Sequence, residues 1–125
     1  MRWAGIALLT VMAACHSHKT PQSTAQDVEA AKQEAQHEVE QARAEAARGV
    51  KSAIKTGGGT RDVAQAKATA AYDIAMIKAE GDHDVATEKC QTLQASMIQA
   101  CKDQADAAYE TAKAAAKATR TARQQ

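Results

Sequence analysis

The chain has 125 residues, sixteen basic and fifteen acidic, no Phe, one Trp and two Tyr, and alanine is its commonest residue. That length holds one domain, and near-neutral charge leaves no footprint for a nucleic-acid partner. So few aromatic and bulky aliphatic residues exclude a thick core, and with it the water-excluding pocket on which catalysis depends.

Arg2 opens the chain with a positive charge, and Trp3 to Val11 form an apolar run far short of the roughly 20 residues that span a bilayer. Met12-Ala13-Ala14 then leads to Cys15, and the polar stretch His16-Ser17-His18-Lys19 follows at once. This pattern resembles a bacterial lipoprotein signal peptide ending in a lipobox, with Met12 where Leu is usual. The resemblance implies removal of residues 1–14 and lipid attachment with palmitate-type acylation at Cys15. His16, in place of an Asp after the cysteine, implies sorting to the periplasmic face of the outer membrane. An ordinary cleaved signal peptide and a retained anchor are the competing readings.

Removing residues 1–14 leaves 111 residues, with fifteen basic against fifteen acidic. Three cysteines are an odd number for an exported protein, but spending Cys15 on lipid leaves Cys90 and Cys101 as an even pair in an oxidising compartment.

Residues 15–23, broken by Pro21, read as a polar tether. Residues 24–56 read as an acidic alanine-rich helix, opened by a Thr24/Asp27 capping box. Val28, Ala31, Ala35, Val39, Ala42, Ala46, Val50 and Ala53 recur along it at threes and fours. So narrow a stripe leaves open whether this helix docks on the rest. Gly57-Gly58-Gly59 is a linker; no Lys-Ser/Thr pair follows it, so it is no phosphate-binding loop. Thr60 is the expected N-cap of the next helix, with Asp62 placed for its dipole.

Residues 60–125 read as a helical hairpin with a basic tail. Its first helix, about Arg61 to Gln91, carries two adjacent stripes, one through Val63, Ala66, Ala70, Ile74, Ile77, Gly81 and Val85, the other through Tyr72, Met76, Ala79, His83, Ala86 and Cys90. Two stripes require two neighbours. A turn over Leu93 to Ser96 leads to a third helix, about Met97 to Thr119, with Cys101, Ala105, Ala108, Ala112 and Ala115 as its stripe. With the midpoint of the turn between Ala95 and Ser96, Cys90 and Cys101 are symmetric about it and are expected to pair across the base of the hairpin. The fold class is thus all-α: an antiparallel hairpin closed by a disulfide plus an N-terminal amphipathic helix.

The span from Tyr72 to Ala118, with Glu88-Lys89-Cys90, Leu93 and Cys101, resembles a group of small alanine-rich exported proteins of proteobacteria that carry two cysteines eleven positions apart. The resemblance implies the hairpin and no activity. An internal echo is also present: Ala68 to Ala75 returns as Ala105 to Ala112, which brings Tyr72 back as Tyr109 at an offset of 37.

His16 and His18 flank Ser17 on the tether, His37 lies on the polar side of the first helix, and His83, between Asp82 and Asp84, is expected beside Tyr109 in the hairpin seam. No catalytic residues, metal ligands or cofactor site are expected. Lys113, Lys117, Arg120 and Arg123 follow Glu110 with no acid after it, reading either as helix C-terminal charge or as a basic patch for anionic envelope polymers such as peptidoglycan. The functional expectation is a lipid-anchored envelope protein, structural or interacting, with a homo-oligomer among its options and no nucleic-acid partner. The alternative is a periplasmic stress-response or metal-handling protein.

Overall fold

A computed structural model describes residues 21–124. The signal segment, Cys15, His16 and His18 lie outside the described residues. Three helices follow in order: α1 (Pro21–Lys55), α2 (Thr60–Cys90) and α3 (Ala95–Gln124). α1 packs on α2 and α2 on α3, whereas α1 and α3 make no packing contact with each other. All eight residues of the α1 stripe are buried or half-buried, so the first helix docks.

The two stripes of α2 are not adjacent. Val63, Ala66, Ala70, Ile74, Ile77, Gly81 and Val85 centre roughly 165° around the helix from the second stripe, which starts at Ala68 and runs through Tyr72, Ala75, Ala79, His83, Ala86 and Cys90, with Ala75 where Met76 is expected, at 3.6 residues per turn. Opposite stripes place the outer helices on opposite faces of α2, so the three lie in a row and do not close into a triangular bundle. α1, at 35 residues, is about 52 Å long, and this sets the length of the row.

The seams share a spacing of four, three and four, a repeat of eleven residues. On α2 the repeat places Ala68, Ala79 and Cys90 at 1%, 6% and 0% exposure; on α3 it places Ala105 and Ala116 at 7% and 6%. Eleven residues in three turns lie close to the natural helical period and give a weak right-handed coil rather than the left-handed one of a heptad. Small side chains at these positions let the backbones approach closely. On α3 the seam therefore runs Cys101, Ala105, Tyr109, Ala112, Ala116 and Arg120. Ala108 and Ala115, expected in the stripe, are exposed.

Local chemistry places the turns. Gly57 has φ of 74°, the left-handed conformation that glycine adopts without steric cost. Its N–H bonds the Ile54 carbonyl at 3.2 Å and that of Gly58 bonds Ala53 at 3.1 Å, which closes α1 with a Schellman motif. Gly59, rather than Thr60, is the N-cap of α2 in extended backbone, and its N–H donates to the Asp62 carboxylate at 3.1 Å. α2 stops at Cys90 because the N–H groups of Gln91, Thr92 and Leu93 bond three residues back, and the Thr92 hydroxyl also takes the Lys89 carbonyl. The turn is thus 91–94, two residues earlier than expected, since Ala95 and Ser96 carry no breaker and enter α3. At its two ends the chain is helical further out than expected: Pro21 already belongs to α1, with its fixed φ suited to a first turn, and α3 continues past Thr119 to Gln124.

Candidate functional site

Cys90 and Cys101 are bonded, with Cα atoms 5.6 Å apart. Cys90 is the last residue of α2 and Cys101 lies in the second turn of α3, so the bond joins the helices beside the turn. In chain-entropy terms so short a loop contributes about 3 kcal/mol.

Further along the same seam His83 lies against the Tyr109 ring, centroids 5.1 Å apart and planes tilted by 38°. The imidazole Nε2 meets the Asp106 carboxylate at 2.7 Å. Asp84 faces the other ring nitrogen, Nδ1, at 3.6 Å. The hydrogen bond to Asp106 holds the His83 pKa above 6.5, opposed by partial burial. The two carboxylates lie at opposite ring nitrogens, so the three groups do not converge on a point. Sequence reasoning placed His83 beside Tyr109 but missed Asp106; the signal available was its position one turn before the tyrosine.

The Lys113 ammonium lies 4.8 Å from the Tyr109 ring centre, and Glu110 accepts from it at 2.7 Å, which raises the lysine above its ordinary range. Arg120 lies 5.0 Å over the Tyr72 ring. The internal echo acquires a structural counterpart here. His83 with Tyr109, and Arg120 with Tyr72, are cross-helix contacts of a nitrogenous side chain on a tyrosine, and 83 to 120 repeats the offset of 72 to 109. The buried pairs Ala68/Ala105 and Ala79/Ala116 share it.

The clefts are shallow and open. One of about 410 Å³ runs between α1 and α2 and is lined by residues such as Ala46, Gly49, Val50, Ala66, Ala70 and Ile77. Among the described residues, no helix is long and apolar enough to cross a membrane.

Charge is the property that the row organises. Antiparallel packing gathers residues 42–74 and 117–124 at the end remote from Pro21, with nine basic residues against three acidic, a net +6. Residues 21–41 and 75–116 hold twelve acidic and five basic, a net −7. The two halves are centred farther apart than the Debye length of about 8 Å at physiological salt, so each presents its own field despite overall neutrality. Among the described residues no carboxylate lies within ion-pair distance of Lys51, Lys55, Arg61, Lys67, Lys117, Arg120 or Arg123. The exposed apolar side chains divide between the ends: Leu93 and Met97 beside the 91–94 turn, Ile54 at the basic end.

The chain matches no protein-family model, and no curated protein and no solved structure is similar to it.

Proposed function

We propose that the protein is a lipid-anchored helical module of a bacterial outer membrane, held at the periplasmic face through Cys15, with a structural or interaction role and no catalytic one. The observation that carries this reading is the Met1 to Cys15 pattern, a charge, a short apolar run, two alanines and a cysteine, followed within a few residues by a folded body. The pairing of Cys90 with Cys101 suits an oxidising compartment and leaves Cys15 as the remaining thiol for lipid. A flat row of alanine-packed helices with open clefts offers surfaces to a partner rather than a closed site for chemistry.

Intact mass spectrometry of the membrane-fraction protein, before and after reduction and alkylation, tests the proposal. The expected product begins at an acylated Cys15 and shows two thiols only after reduction. A chain without acyl groups and with a free cysteine thiol overturns the anchored reading.

A further inference from the structure

From the charge map we infer that the basic end of the row, built by Arg48, Lys51, Lys55, Arg61, Arg120 and Arg123, is a binding surface for an extended acidic glycan polymer of the cell wall. The inference rests on the anchored reading for which end faces the membrane. α1 enters the row beside the 91–94 turn, so a lipid on Cys15 holds that end, where Leu93 and Met97 are exposed, against the bilayer. The basic end then stands up to about 50 Å away, the length of α1 at 1.5 Å per residue.

Four features select the ligand. The charge exceeds what helix ends require: two C-termini and one N-terminus leave about half a negative charge uncompensated, against a net of +6. The cations are spread over three helix ends in a row roughly 20 Å wide, at about 8–10 Å between neighbouring axes, with no enclosed pocket, which fits a polymer and not a small anion. Among the described residues no exposed aromatic ring lies at this end to stack on nucleobases, since Tyr72 is half-buried under Arg120. A second copy anchored in the same membrane stands parallel, so basic end meets basic end and acidic body meets acidic body, which repels it.

The test is co-sedimentation of the full-length protein, purified in neutral detergent, with purified cell-wall sacculi, beside vesicles of phosphatidylethanolamine and phosphatidylglycerol and duplex DNA. The expected result is sacculus binding that weakens at least roughly tenfold as salt rises several-fold. The variant K51Q/K55Q/R120Q/R123Q is expected to lose on the order of 1,000-fold. The variant K32Q/K78Q/K89Q/K102Q, which removes the same charge from the acidic half, is expected to bind as wild type.

Equal loss in both variants, absence of salt dependence, or binding only to vesicles, DNA or a second copy overturns the inference. The salt series on the wild-type chain decides even if a variant misfolds. Mass spectrometry of the same preparation separates the two readings. An acylated chain that ignores sacculi sinks the surface alone, and a non-acylated chain that binds them in this pattern sinks the anchor alone.

Discussion

The α2·α3 seam carries a covalent bond at Cys90–Cys101, a ring contact between His83 and Tyr109 and a cation over Tyr72. The α1·α2 seam has the same eleven-residue spacing and is lined largely by alanine and valine, but in place of a tie it has a close approach. A Cβ added at Gly81 meets the Ala35 Cβ at 2.5 Å and its Cα at 3.2 Å. One seam holds a covalent bond; among the described residues the other holds none. α1 is therefore the helix whose docking is easiest to lose, since its thin apolar burial has no covalent bond beside it to oppose the entropy of fixing 35 residues.

Removing the tie breaks the comparison most strongly. Cys101→Ser is expected to lower stability by about 3 kcal/mol, against about 5–15 kcal/mol for a typical domain. Thermal melts followed by circular dichroism with and without reductant check this, because reductant should shift the wild type and leave the variant unmoved. The α1 seam is tested by Gly81→Ala. Overpacking costs about 1–3 kcal/mol and better helix propensity returns about 1, so the expected net loss is up to about 2 kcal/mol. Hydrogen exchange should show protection lost in α1 while the α2·α3 amides keep theirs, and Ala35→Gly in the same chain should restore the docking.

Gly49 sharpens the contrast from the other side. Its face is open, with nothing within 4 Å of an added Cβ, so Gly49→Ala should stabilise α1 by about 0.5–1 kcal/mol without touching the seam. A higher melting temperature with unchanged packing checks it.

The smallest effect is the pH dependence of the α2·α3 seam. The folded state raises the His83 pKa above 6.5, so the folded chain binds the proton more tightly than the unfolded one. This contribution is complete below pH 6.5 and is lost as pH rises through the raised folded value. With Asp106 largely exposed it amounts to less than about 1 kcal/mol. Denaturant midpoints across that range should fall with pH in the wild type and flatten in His83→Gln.

The three helices, the glycine stop and the cysteine interval are legible from sequence because local chemistry decides them. Gly57 alone relieves a left-handed turn, and alanine favours helix wherever no breaker intervenes. The third stripe is legible at Cys101, Ala105 and Ala112 but not at the positions between and after them. There, continuing at threes and fours points to Ala108 and Ala115, whereas the seam follows the four-three-four repeat to Tyr109 and Ala116. In a helix so rich in alanine, apolarity does not distinguish a seam position from its neighbour. Only the partner helix does.

The sequence by itself determined three helices, two turns, the docking stripes of α1 and α2, and the pairing of Cys90 with Cys101, all of which depend on neighbours a few residues away or on a single short loop. Tertiary structure decided the rest. It stacked the helices in a row, with α1 and α3 each packed on α2 and not on each other, and it brought Asp106 to His83. It also carried Arg48 and Arg123 to the same end. Charges balanced along the chain become separated in space, because antiparallel packing sorts residues by height along the row and not by position in the sequence.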